Sequence, residues 1–181
     1  MGVANVAAGK PKVGGAVYVG ATSLTLPTDS TTALAAGFTS LGYCSDAGLV
    51  QSVERESEDV KAWGGDTVLT TQTGYSETYK CTLIETLSVD VKKAAFGDSN
   101  VTGALATGIT TKGNSKELEQ HAWVVEMIQN GATVRKVLPL AKVIEVGEIT
   151  YSDSDAIGYE ITIKALPDSS GNCSYEYAQK S

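Results

Sequence analysis

The sequence predicts a mainly β protein, an antiparallel β-sandwich or barrel with one short flanking α-helix. Three observations predict it. Short runs alternate apolar and polar residues with period 2, as half-buried strands do. Gly-Gly and Asn-Gly pairs join several of these runs, the chemistry of hairpin turns. One segment alone repeats its apolar residues at helical spacing. The 181 residues suit one domain with arms. With 42% apolar and 19% charged residues the chain is globular.

Residues 1–12 are small, polar and unpatterned, and read as an N-terminal arm. A β domain is expected over residues 13–168 and a C-terminal arm over 169–181. "GGAVYVG" (Gly14 to Gly20) is a first short strand and "FTSLGYC" (Phe38 to Cys44) a second, with a Thr-, Ser- and Gly-rich loop over 21–37 between them. A strand from Leu49 to Lys61 turns at Trp63-Gly64-Gly65-Asp66 and returns as "TVLTTQT". In "YSETYKCTLIE", Tyr75, Tyr79, Cys81 and Leu83 share a face, opposite Thr78, Lys80 and Thr82. "LSVDVKKAAFG" is the helix: Leu87, Val91, Ala94 and Ala95 share a stripe, Asp90 and Lys92–Lys93 suit the macrodipole, and Gly97 stops it. Residues 98–117 read as a long small-residue loop. "HAWVVEMIQNGATVRKVLP" is a hairpin with Asn130-Gly131 in a type I′ turn. "AKVIEVGEITYS" and "GYEITIKALPD" form a further pair. About eight strands result.

The net charge of −7 excludes the basic footprint of a nucleic-acid binder. Cys44, Cys81 and Cys173 lack zinc-type spacing and read as reduced thiols that pack as small apolar groups. No signal-peptide pattern, myristoylation motif or membrane-length apolar run is expected; Val6 stands where myristoylation wants Ser or Thr.

No catalytic constellation emerges. The single histidine, His121, begins an apolar strand, and no nucleophile or orienting carboxylate accompanies it in sequence. "AAGKP" matches the end of a phosphate loop only in part, because Ala4 replaces the first Gly and Pro11 the hydroxyl residue. "DSDAIGYEITIK" keeps Asp153, Asp155 and Gly158 of a calcium loop, but Ile157 and Lys164 occupy ligand positions, so a side-chain-capped turn is expected. Asn100 and Asn172 begin formal glycosylation triplets that have no meaning without secretion. No cofactor, no metal and no enzymatic activity are expected.

"VERESEDVKAWGGDTVLT" carries the question of function. As a strand it places Glu54, Glu56 and Glu58 on one face with no basic residue between them. Glycosidase carboxylates flank a cleft from different elements, so a row on one strand is a poor catalytic pair. On the residues alone a solvated edge face is favoured over a charged inner surface. The turn Trp63 to Asp66 is either an ordinary turn with Trp63 on its own core or a contact to another subunit. A strand-rich chain must also cover or pair its edges, and a closed ring of subunits does so.

The order of elements resembles the tail tube proteins (major tail proteins) of long-tailed bacteriophages. The resemblance spans roughly residues 13–168: the arm before "GAVYVG", the hairpin "GLVQSVERESEDVKAWGGDTV", the helix "LSVDVKKAAFGD" and, most telling, "GATVRKVLPLAKVIEVGEITYSDSDAIGYEITIKALPD". It implies a β-sandwich or barrel with one flanking helix, six copies per ring, and an inner barrel continuous around it. Rings would stack through loops and both arms into a tube that conducts double-stranded DNA into the host without binding it specifically. The partners implied are further copies of the chain, tail tip or baseplate, tape measure and terminator proteins, with no membrane. The location implied is the virion tail, and host cytoplasm during assembly; a non-contractile tail is the better match. On this reading Glu54, Glu56 and Glu58, then Glu145 and Glu148, are candidates to face the lumen, where negative charge repels phosphate. Trp63, Gly64, Gly65 and Asp66 are candidates for assembly contacts. The alternative is a monomeric carbohydrate- or receptor-binding β-sandwich or capsid decoration module, with Tyr151, Tyr159, Tyr175 and Tyr177 as possible exposed aromatics.

Overall fold

The computed structural model describes residues 6–12 and 15–180. The first five residues of the expected N-terminal arm, and residues 13, 14 and 181, lie outside it. In chain order the strands are β1 (Gly9–Pro11), β2 (Val17–Gly20), β3 (Thr39–Ser40), β4 (Val50–Lys61) and β5 (Thr67–Leu83). The helix α1 (Val89–Phe96) and a 3-10 turn at Asp98–Asn100 follow. Then come β6 (Val101–Ala104), β7 (Gly108–Thr111), β8 (His121–Gln129), β9 (Ala132–Val146), β10 (Tyr159–Leu166) and β11 (Tyr175–Lys180). No described helix is long and apolar enough to cross a membrane.

One antiparallel sheet runs β3-β2-β8-β9-β10-β5-β4, with β1 added to β8 and β11 to β9. It curls. After β3 the chain reaches β5 near the far end of that order, through the Cys44–Leu83 bridge and bonds from Ser45 N to Thr82 O (2.9 Å) and Ile84 N to Tyr43 O (3.2 Å). This seam is too short to close a barrel, so the architecture is an open, sandwich-like curl with one helix. Cys44 stands on one side of this seam and Cys81 on the other, and all three cysteines are free.

The core lies inside the curl, and alternation builds it. β5 supplies Tyr79, Cys81 and Leu83, β10 supplies Tyr159, Ile161, Ile163 and Ala165, and Trp123, Val125, Leu138 and Val143 complete the wall. Each fully buried Ile or Leu contributes about 1.5–3 kcal/mol by leaving water. Val91 and Ala95 turn the buried face of α1 onto this core. Phe96 meets Tyr159 edge-on at 5.1 Å, and Gly97, at φ 95°, ends the helix. Leu87, expected on that stripe, precedes the helix and is exposed.

Strand β8 is buried on both faces from Ala122 to Glu126. One face meets the main core; the opposite face carries Val124 and, across the register, Val137 and Arg135. The 21–37 segment has no regular strand or helix but is held by Arg135. Its guanidinium, 1% exposed, donates to the carbonyls of Asp29 (2.7 Å) and Thr32 (2.8 Å) and to Glu126 (Nε, 2.9 Å). Lys12 donates to the other oxygen of Glu126 at 2.8 Å, tying the arm to β8. Asp29 in turn accepts from the Thr32 hydroxyl and the Thr31 and Thr32 amides, which hold its pKa down at about 2.

The structure departs from expectation in three further places. The 98–117 loop contains the β6–β7 hairpin, invisible to apolar patterning because, apart from buried Val101 and half-buried Ile109, its residues are small or polar and exposed. The sequence divides the chain at Pro139 into a hairpin and a further strand pair, yet β9 runs through Pro139 as one strand. It does so because β10 ends opposite Leu140, β11 begins opposite Val137, and a bulge falls on the β8 side, so no ladder bond needs the missing N–H. Six residues of the expected C-terminal arm, Tyr175–Lys180, form strand β11, paired with β9 of its own chain.

Candidate functional site

Every residue of β4 is exposed, and so is β5 from Thr67 to Thr73. Past the root near Glu77 the two strands leave the body as a two-stranded ribbon with both faces in water. At roughly 3.3 Å per residue its free part reaches about 30 Å. Isolated hairpins of this kind are marginal in water. Its exposed apolar residues include Val53, Val60, Trp63, Val68 and Leu69, and the outer edge of β4 has no described partner strand.

The register fixes which residues share a face. Glu54 pairs with Ser76, Glu56 with Gly74 and Glu58 with Thr71, and the bulges fall on β5, so the glutamate row on β4 is uninterrupted. Gly74 lets Glu56 lie across the partner strand: an added Cβ would stand 2.8 Å from its Oε2. On the opposite face the Arg55 guanidinium sits 4.8 Å over the Tyr75 ring and bonds Gln72 (3.1 Å), and Asp59 accepts from Thr70 (2.7 Å).

Followed down β5, the glutamate face becomes the outer face of the sheet. Thr78, Lys80 and Thr82 stand there beside Lys164, Thr162 and Glu160 of β10, and beyond them Lys142 and Glu145 of β9. Lys80 pairs with Glu160 at 2.7 Å. Glu145 therefore shares a face with Glu54, Glu56 and Glu58. Glu148 lies past the end of β9, and with Glu145, Glu160, Asp46 and Asp155 lines a shallow open depression. The face is not purely acidic, because three lysines are interleaved.

At the tip, Ala62 N donates to Asp66 O (2.8 Å) and Gly65 N to Ala62 O (3.0 Å). Gly64 (φ 114°) and Gly65 (φ 99°) take conformations that L side chains avoid. Trp63 is fully exposed, so packing on its own core is excluded.

The root holds a group that the sequence reading missed. Glu77, 3% exposed, accepts from Gln51 Nε2 (2.8 Å), Tyr75 Oη (2.9 Å), Tyr79 Oη and Ser174 Oγ (2.7 Å). Burial pushes its pKa up, but the bonds from Tyr79, Ser174, Tyr75 and Gln51 outweigh that and hold it below the usual value. The Tyr79 hydroxyl is pushed up by burial and by this bond. One carboxylate thus joins both ribbon strands to the segment leading into β11. A signal existed: Glu77 falls in the inward register of Tyr75, Tyr79 and Cys81. Glu126 and Arg135, likewise missed, stand inside apolar runs.

The four tyrosines of the alternative reading do not form one platform. Tyr159 is in the core, Tyr151 is exposed, and Tyr175 stacks on Tyr177 at 6.3 Å between centroids while its hydroxyl bonds Asp168. Among the described residues no cluster of three His, Cys, Asp or Glu could hold a metal.

A self-sufficient β body bearing a ribbon that lacks a core of its own defines a structural subunit completed by contact with other chains. The family model for phage tail tube proteins matches residues 6–180, and the chain belongs to that family. Membership makes it a structural protein of the virion tail that assembles with copies of itself into a tube. Comparison with curated proteins found no match.

Proposed function

We propose that six copies close into a ring, that rings stack, and that the face carrying Glu54, Glu56, Glu58 and Glu145 lines the lumen through which double-stranded DNA leaves for the host. The observation that carries this is the ribbon: an acidic row on strands with no core beneath them, continuous with the polar outer face of the sheet. The open edge of β4 is a template for another strand, and pairing it around a ring removes the edge. A lumen for a polyanion calls for wet, net-negative walls, because basic walls would retain it by counterion release. Two of the three interleaved lysines are already paired, Lys80 with Glu160 and Lys142 with Glu117, and among the described residues Glu54, Glu56 and Glu58 have no ion pair. Glu148 is the weakest member, being off the strand face. The turn Trp63–Asp66 serves contact between copies, and tail tip, tape measure and terminator proteins meet the ends and interior of the tube.

Electron microscopy of the purified chain, with its mass in solution, tests this. Hollow tubes with six subunits per turn and Glu54, Glu56 and Glu58 on the inner wall are expected. Tubes whose inner wall is built from another face would remove the lumen assignment, and a different subunit number would remove the hexamer.

A further inference from the structure

Trp63 and one cavity of the same molecule are complementary, and they cannot meet within one chain. The cavity, about 440 Å³, is walled by Val17, Leu49, Cys81, Val125 and Met127, with exposed Lys10 also lining it. That volume is within the range, roughly 300–1,000 Å³, of clefts that enclose a ring system. A tryptophan ring buries about 150–250 Å² when covered, so leaving Trp63 in water forgoes a large apolar contribution. Nothing lies within 4 Å of a Cβ placed on Gly64 or Gly65, so the approach to the ring is unobstructed. Lys10, Lys12 and Asp46 are the charged residues at the cavity; Lys12 is held by Glu126, while Lys10 there and Asp66 at the tip have no ion pair among the described residues, so these two can meet.

Distance forbids the contact within one molecule. Leu49 lines the cavity and β4 begins at Val50, so the extended strand carries Trp63 roughly 40 Å away from its own cavity. We infer that Trp63 of one copy inserts into this cavity of a second copy, with Asp66 meeting Lys10 beside it. The tip and the cavity are different surfaces, so the contact is head-to-tail and leaves each new copy with a free tip or a free cavity. It is a propagating contact, and it displaces linked copies by up to about 40 Å, the reach of the ribbon. The inference rests on the tube reading above and names the two surfaces that join its layers.

Acrylamide quenching of tryptophan fluorescence tests it on the full chain, before and after assembly. Trp123 is 2% exposed, so quenching in the free subunit reports Trp63 nearly alone. Quenching is expected to fall several-fold when tubes form. Lys10→Glu and Asp66→Lys are each expected to raise the concentration needed for assembly, and the two together to restore it. Both residues are exposed, and near-ultraviolet circular dichroism of each variant checks that the core is intact. Tubes in which Trp63 stays as quenchable as in the free subunit overturn the inference and leave the tube reading standing. Single charge reversals that assemble like the unaltered chain, or a double variant no better than the singles, also overturn it. A chain that stays monomeric at every concentration removes both.

Discussion

Glu77 carries a carboxylate into the wall of the molecule with no cation beside it, and four hydrogen bonds hold it there. Its pKa in the folded chain is lowered. Its contribution to stability is therefore complete above the unfolded value, about 4.3, and is lost as pH falls through the lower folded value. Urea midpoints are expected to drop in that acid window, and Glu77→Gln should flatten the drop. An unchanged acid limb in Glu77→Gln would refute the assignment. At neutral pH Glu77→Ala strands buried donors and should cost about 1–3 kcal/mol by denaturant titration. Arg135 makes the complementary case. Arg135→Met leaves Glu126 buried with only Lys12 opposite, and should cost about 3–5 kcal/mol. The double variant Arg135→Met/Glu126→Leu should recover part of that, because two apolar groups leave no stranded charge. If the double variant is no more stable than the single, the loss comes from the carbonyls of Asp29 and Thr32 instead.

At the scale of elements, the ribbon and the body have different reasons to be ordered. The body has a core; the ribbon has cross-strand bonds and side-chain pairs such as Arg55–Tyr75. Amide hydrogen exchange in the free subunit should therefore be fast from Val53 to Thr73 and slow in β8, β9 and β10. Assembly should protect the ribbon most, and a ribbon already as protected as β10 in the free subunit would contradict this account. Replacing Gly64 and Gly65 by alanine forces side chains into left-handed conformations at a cost of about 1–2 kcal/mol each. The loss should appear in ribbon exchange and in assembly, with the unfolding midpoint of the body unmoved, since neither glycine touches it.

For the whole molecule, charge and symmetry meet. If six glutamate rows face one lumen, they repel over the screening length, about 8–10 Å near physiological salt. Raising salt should then ease assembly of the unaltered chain. Glu54→Gln/Glu56→Gln/Glu58→Gln should assemble readily at low salt and lose much of that salt dependence, as read by light scattering. Equal salt dependence in both would place the row away from other copies. Virions carrying the triple variant should eject DNA more slowly, since fewer charges repel the phosphates.

Alternation and turn chemistry by themselves determined most of the body. Tyr79, Cys81 and Leu83, the Tyr159–Ala165 face, the Asn130-Gly131 turn and the helix stop at Gly97 follow from local rules that depend on near neighbours alone. The glutamate row was legible for the same reason, because period 2 holds wherever the strand goes. Tertiary structure alone decided what depends on distant partners. Pro139 is tolerated because two other strands end and begin beside it, and the 21–37 segment is ordered because Arg135 reaches it from β9. The charges of Glu77, Glu126 and Arg135 are buried because residues far off in sequence satisfy them. That the glutamates stand on a free ribbon, with Trp63 in water far from its own core, is likewise a property of where the sheet ends, which no local pattern encodes.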